Sequence, residues 1–437
     1  MKKTVLKNGM KIIYERIPGS ITSFTLGLEA GANVESHREF GLAHVVEHMV
    51  FKGTKSKTER EINNICDEVF GFHNAMTNYP YVVYYGTCLN EDFQTALEVY
   101  SDIIINPTFS ELGFKEEINV IIEELKEWSE DLVQHCEDIL FFNAFKERRI
   151  KELIIGTEDL LRSFTTKDVT NFYNKYYMPS NTVISVVTSL AFEEIIKEVE
   201  KQFNSWGTNE IKAQEQFKLV DKLHSENRFV SESEINTNLT NKITPLYEDV
   251  ISKKFIKEIS NINGAKIQYI FPIHQLSERE IALLRIFNEA FGEGTSSILY
   301  DEIRTNKGLV YDVSGKIKNE KEIKLYTITL GTSKENVEDV LRIIDEKINE
   351  VNKETKLFSL KNINKFVKSQ KLKRTLTLEK SIVLSMNMAV YEIMYKNSDL
   401  LFNEFELIKD VTEEELLGVV SKVLVNPAVQ LIIPMDK

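Results

Sequence analysis

The run His44-Val45-Val46-Glu47-His48 constrains this chain more than any other feature, because its residue types combine into one site only on a helix. Four residues apart on an α-helix, the two imidazoles leave one face a single turn apart and can reach one divalent ion. Glu47 then lies beside them and need not ligate; it can instead take a proton from a water at the metal. The order reverses the commoner H-E-x-x-H zinc motif, and H-x-x-E-H is the recognised inverted form of that chemistry. With only seven histidines in 437 residues, this arrangement is a rare one to meet by chance. A metallohydrolase is the expectation.

A third ligand follows from helical periodicity. The stretch Glu116-Glu117-Ile118-Asn119-Val120-Ile121-Ile122-Glu123-Glu124-Leu125-Lys126-Glu127-Trp128 reads as a helix whose apolar residues 118, 120, 121, 122, 125 and 128 share one broad arc. Glu123 falls opposite that arc with Glu116, Asn119 and Lys126, as a solvated carboxylate would. Glu117 and Glu124 fall inside it, two turns apart. A carboxylate on a core-facing stripe is costly unless it is paired or bound to a metal. Glu124 therefore reads as a ligand and Glu117 as a second carboxylate near the same site, unless both sit at a helix edge and reach back to water.

The run from Gly41 to Thr54, GLAHVVEHMVFKGT, resembles the signature of the pitrilysin/insulinase family of inverted-motif zinc peptidases. The chain length is similar to that of the small subfamily containing the mitochondrial processing peptidase and its bacterial relatives. The 75 residues (49 to 123) between His48 and Glu124 match the separation at which that family carries its third ligand, a glutamate. Its further glutamate, seven residues before the ligand, matches Glu117. Asn74-Ala75-Met76-Thr77, Tyr84-Tyr85 and Asn106-Pro107-Thr108-Phe109 extend the resemblance over most of residues 1 to 206. The segment from Ser296 to Tyr311 is similar to the family's C-terminal Arg/Tyr element, with Arg304 near a helix end, Gly308 as an αL cap and Tyr311 opening a strand. Two departures bear on substrate preference. Ile298 stands where an arginine is usual, and Arg149-Ile150-Lys151-Glu152 lacks the Pro-Leu-Gly typical before a segment like Ile154-Ile155-Gly156-Thr157.

The resemblance implies an α+β fold of two related domains, each a mainly antiparallel sheet backed by helices, enclosing a chamber. It implies one zinc per chain held by His44, His48 and Glu124, with Glu47 as general base and Glu117 tuning the site. Asn74 and Ala75 would accept the substrate as an added edge strand, and Arg304 and Tyr311 would hold its backbone. The expected activity is zinc-dependent cleavage of extended or unstructured peptides by a homodimer. Two alternatives remain: a dedicated leader-peptide or precursor processing peptidase working with a related partner subunit as a heterodimer, and an inactive structural subunit of the same fold.

Composition agrees. At 42% hydrophobic and 28% charged, the chain is long enough to bury two cores. The expected division is a catalytic domain over 1–206, a linker over 207–245 and a second domain over 246–437. The net charge of −13 argues against nucleic acid. The N-terminus reads as strand, Asn-Gly turn, strand, without an apolar leader, and no segment approaches a membrane span. Cys66, Cys88 and Cys136 form neither a zinc spacing nor a disulfide framework, which suits the cytoplasm. Residues 21–30 read as a half-buried strand carrying Phe24, Leu26 and Leu28 inward, and 360–397 as one long helix.

Overall fold

The computed structural model describes residues 1–207, 247–351 and 358–435. Nearly all of the expected linker therefore lies outside the described residues. By contact, the chain forms two units: Met1–Lys126, Glu152–Leu246 and Thr377–Leu401 in the first, and Glu127–Lys151, Tyr247–Leu376 and Phe402–Lys437 in the second.

The first unit holds a six-stranded sheet of β1 (Lys2–Val5), β2 (Lys11–Arg16), β3 (Ile21–Leu28), β4 (Phe70–Thr77), β5 (Val82–Leu89) and β6 (Thr182–Thr188), in the order β1-β2-β6-β3-β5-β4. Only β2 and β6 run parallel. β1 and β2 form the expected hairpin, with Gly9 supplying a positive φ of 92° in its turn. The second unit holds β7 (Lys254–Ile259), β8 (Ala265–Pro272), β9 (Val310–Glu320), β10 (Ile323–Thr332) and β11 (Ala428–Pro434), in the order β7-β11-β8-β10-β9. Here too one pair, β7 and β11, is parallel. Laying β2–β6 over β7–β11 reproduces both the order and the parallel pair. The two sheets are one topology repeated.

The helices repeat as well. Leu42–Met49 follows β3 as Glu278–Phe291 follows β8, and Phe93–Ile105 and Glu111–Glu130 follow β5 as Val337–Val351 and Leu360–Leu378 follow β10. The next helix in each series crosses the linear division expected at 206 and 246. Leu132–Ala144 packs on β8 and β11 of the second unit, and Ser381–Tyr395 packs on the matching strands β3 and β6 of the first. Each sheet is thus completed by a helix from the other half of the sequence.

That exchange changes the reading of β3. Phe24, Leu26 and Leu28 face a core shared with helices Leu42–Met49 and Phe93–Ile105, as their spacing predicts. The opposite face is not solvated, because Ser381–Tyr395 covers it and every residue of β3 after Ile21 is buried. Its polar side chains are satisfied by hydroxyls of that helix: Ser23 Oγ is 2.8 Å from Ser381 Oγ, and Thr25 Oγ1 is 3.0 Å from Ser385 Oγ. The single helix expected over 360–397 is two, Leu360–Leu378 and Ser381–Tyr395, with extended backbone at Lys380 between them. No Gly or Pro marks that break; packing on β3 and β6 imposes it.

Gly27 is a point of close approach in the seam, since a Cβ there would lie 2.7 Å from Ile393 Cδ1. Gly27→Ala should therefore destabilise the first unit by about 1–3 kcal/mol through overpacking, and Ile393→Ala by about 2–5 kcal/mol through the cavity it leaves. The double variant should lose less than the sum, because the new methyl enters the cavity. Denaturant unfolding measures all three, and strict additivity would contradict this seating of the helix.

Candidate metal centre

Helix Leu42–Met49 is short and buries Leu42, Ala43, Val45, Val46 and Met49, so tertiary packing holds it in place. Its first residue follows Gly41, whose φ is 103° and which offers no side-chain cap. A remote carboxylate supplies one: Glu35, buried, accepts the Gly41 N–H at 3.2 Å and the Ala43 N–H at 2.7 Å. The chain around Gly156 presses on the same turn. A Cβ on Gly41 would lie 2.7 Å from Ile155 O, and one on Gly156, φ 82°, 2.5 Å from Phe40 O. Glycine is required at both positions for the backbones to meet.

From this helix His44 and His48 project side by side, ring centroids 4.5 Å apart. Glu124, on Glu111–Glu130, faces both: its Oε1 is 3.7 Å from His44 Nε2 and its Oε2 3.5 Å from His48 Nε2. One ligand atom from each of the three lies within 4.8 Å of the other two. These gaps are too long for hydrogen bonds. They are close to the roughly 3.3 Å that separates ligand atoms around one tetrahedral ion with bonds of about 2.0–2.1 Å. His44 Nδ1 is buried with no hydrogen-bond partner, so that ring is held by packing and by whatever its Nε2 meets. Two nitrogens and one oxygen are a donor set suited to zinc, and the three residues fit it.

The electrostatics divide the two histidines. Burial, with the neighbouring His48, lowers the His44 pKa to about 3, so it is neutral and a competent ligand. Burial also acts to lower His48, but its hydrogen bond to Glu117 and the charges of Glu47, Glu117 and Glu124 outweigh that and raise it. His48 Nδ1 lies 2.8 Å from Glu117 Oε1, which directs Nε2 toward Glu124. Glu117 is itself held below the usual carboxylate range, since hydrogen bonds from His48 and Lys52 overcome its desolvation. Glu47 is buried, which pushes its pKa up against the hydrogen bond donated by Thr77 Oγ1 at 2.5 Å.

The helical arc places the glutamates as anticipated, with one error. Glu123 is 69% exposed and paired with Lys126, Glu124 is half-buried at 38%, and Glu117 is buried. Val120, counted with the apolar arc, is instead 52% exposed, because it lies at the arc's edge. Asn74 and Ala75 are on β4, which pairs with β5 and lies at the end of the sheet order, leaving its other edge open among the described residues. Thr77 closes that strand and reaches Glu47. Arg304 and Tyr311 belong to the second unit. Arg304 lies in a π-helical turn, Tyr300–Asn306, with its guanidinium 5.0 Å from the Tyr300 ring, and Tyr311 is 86% exposed at the start of β9. Gly308 between them has φ 65°, as an αL cap requires.

Sequence reasoning gave no role to Glu35 or to the Thr77 hydroxyl. Glu35 left a faint signal, an acid shortly before a helix N-terminus; Thr77 stands in the run Asn74-Ala75-Met76-Thr77, but nothing local ties its hydroxyl to Glu47.

In the second unit Glu278–Phe291 and Leu360–Leu378 occupy the positions of Leu42–Met49 and Glu111–Glu130, and an ammonium joins them. Lys373 Nζ is 2.6 Å from the buried Glu289 and 2.9 Å from Glu293, and Ser369 and Gln370 also donate to Glu289.

Comparison with known proteins agrees with this asymmetry. Residues 11–158 match the family described as "Insulinase (Peptidase family M16)" and residues 163–359 that described as "Peptidase M16 inactive domain". The chain is 27% identical over 350 residues to an "uncharacterized zinc protease" of Bacillus subtilis, covering 80% of this chain and 78% of that protein. It is 30% identical over 200 residues to the mitochondrial-processing peptidase subunit beta of Caenorhabditis elegans, covering 46% and 44%. Among solved structures, a protease from Helicobacter pylori superposes with a TM-score of 0.81 at 18% identity, covering 99% of both chains. The motif, the repeated topology and these matches together establish that the chain belongs to the insulinase family of peptidases, M16.

Proposed function

We propose that the protein is a zinc-dependent endopeptidase that cleaves extended or unstructured peptides and holds one zinc per chain through His44, His48 and Glu124. The observation that carries this reading is the convergence of two imidazole nitrogens and a carboxylate at 3.5 and 3.7 Å beside a buried Glu47. A zinc ion bound there supplies Lewis acidity toward water and a peptide carbonyl. Glu47 takes a proton from the attacking water and returns it to the leaving amine. Its raised pKa suits a group that must both accept and release that proton, and Thr77 fixes which oxygen is left to do so. The open edge of β4 offers backbone groups to an extended peptide, with Asn74 and Ala75 on it, so selection runs through shape more than side-chain identity. Arg304 and Tyr311 bind the peptide and orient it or donate to its oxygens.

The relation to a mitochondrial-processing peptidase subunit favours a second reading, removal of a leader from a precursor together with a partner subunit. A homodimer is the proposed assembly, because one chain carries both the metal-site residues and the Arg304/Tyr311 segment. Cys66, Cys88 and Cys136 are unpaired, which supports a cytoplasmic setting, and no helix among the described residues is long and apolar enough to cross a membrane.

Metal analysis should find about one zinc per chain. Glu124→Gln should weaken zinc binding strongly and Glu123→Gln hardly at all; equal effects would contradict the assigned helix face.

Glu47→Gln should keep zinc and lose about two or more decades of turnover on a quenched unstructured peptide. Loss of zinc in that variant would make Glu47 a ligand and overturn the mechanism.

Tyr311→Phe should lower kcat/KM by the equivalent of about 1–3 kcal/mol without releasing zinc, and Arg304→Ala should act in the same direction. Wild-type kinetics in both variants would remove the segment from the mechanism.

A further inference from the structure

Beyond the ligands and Glu117, one more residue is built into the site. Lys52 lies one turn beyond His48, where the chain leaves helix Leu42–Met49, and its side chain is 13% exposed. Its Nζ donates to Glu117 Oε2 at 3.1 Å and to Glu59 Oε1 at 2.8 Å. Glu117 Oε1 is meanwhile 2.8 Å from His48 Nδ1. One carboxylate thus bridges an imidazole and an ammonium four residues apart, each engaging a different oxygen. The lysine stem crosses to the second ligand-bearing helix at Gly113, where a Cβ would lie 3.6 Å from Lys52 Cβ and 3.8 Å from Cε. Lys52 therefore touches both helices whose spacing sets the distance from His48 Nε2 to Glu124.

We propose that Lys52 is a positioning residue of the metal site: it pins Glu117, so that Glu117 holds His48 with Nε2 aimed at the ion. A carboxylate fixed at one oxygen only can swing about its remaining torsions, and a ligand imidazole hydrogen-bonded to it swings too. Pinning the second oxygen removes that freedom. The second unit offers a partial parallel. At its equivalent helix pair a lysine, Lys373, again joins the two helices through glutamate, with no imidazole involved. The roles are exchanged between the helices, with Lys373 on Leu360–Leu378 and Glu289 on Glu278–Phe291, and the first half adds a histidine to its own tie. A surface ion pair would contribute little, but Lys52 and Glu117 are both largely shielded, where fixed hydrogen bonds constrain geometry.

The inference rests on the reading that His44, His48 and Glu124 hold zinc, and the test separates the two. Zinc affinity of the full chain is measured by competition with a chelator for wild type, Lys52→Met, Glu117→Gln and the double variant, with thermal melts of the metal-free proteins alongside. Lys52→Met keeps the stem over Gly113 and removes the donors. It should weaken zinc binding by more than twofold but by no more than Glu117→Gln, which removes the direct partner of a ligand histidine and should cost about 10–100-fold. Because Lys52 acts through Glu117, the double variant should bind no more weakly than Glu117→Gln alone. Affinity of Lys52→Met within about twofold of wild type, or losses that multiply fully in the double variant, would overturn the proposal. If Lys52→Met does not fold, Lys52→Gln, which keeps one donor without the charge, should show a smaller loss, and wild-type affinity there would equally overturn it. Wild-type protein that binds no zinc would instead remove the underlying function.

Discussion

The metal centre of the first unit depends on one set of side-chain contacts, those between helix Leu42–Met49 and helix Glu111–Glu130. These contacts bring His44, His48, Glu117 and Glu124 together, with Glu47 buried beside them. Such a concentration of ionisable groups opposes folding unless charges are matched, because desolvation penalises each charged form. The matching is explicit in places. Glu117 lies between His48 and Lys52, Glu47 accepts from Thr77, and His44 is neutral through burial. What remains is two imidazole nitrogens facing a carboxylate at ligand spacing, an arrangement a divalent cation completes.

The repeated topology sets this in context. The same five-stranded order and helix series occur twice, but the second copy fills the equivalent helix contact with Lys373, Glu289 and Glu293. An ammonium carries its own charge and needs no external ion. The relation between the copies is carried by strand order and helix succession, not by residue identity.

Much of the site was legible in the sequence because helical periodicity is local. The i, i+4 histidines predict a shared face, and the apolar arc separates Glu124 from Glu123 by about 100° of rotation. Non-local devices were not legible. Glu35 caps a helix six residues further on, and Thr77 reaches Glu47 from another element. The polar face of β3 illustrates the limit of alternation. Ser23 and Thr25 have the pattern of a solvated face, yet a helix some 360 residues away in sequence buries them against its own serines. The same packing breaks the long helix expected over 360–397 at a point without a Gly or Pro signal.

The central claim is that zinc is bound by two imidazoles and a carboxylate and by no thiolate. All three cysteines are buried, and the group whose ligand atoms converge is His44, His48 and Glu124, with no thiol in it. X-ray absorption at the zinc edge of the purified full-length protein tests this directly. The predicted spectrum has a nitrogen/oxygen shell at about 2.0–2.1 Å with the outer-shell pattern of two histidine rings. A sulfur shell near about 2.3 Å, or a spectrum lacking the imidazole pattern, would contradict it.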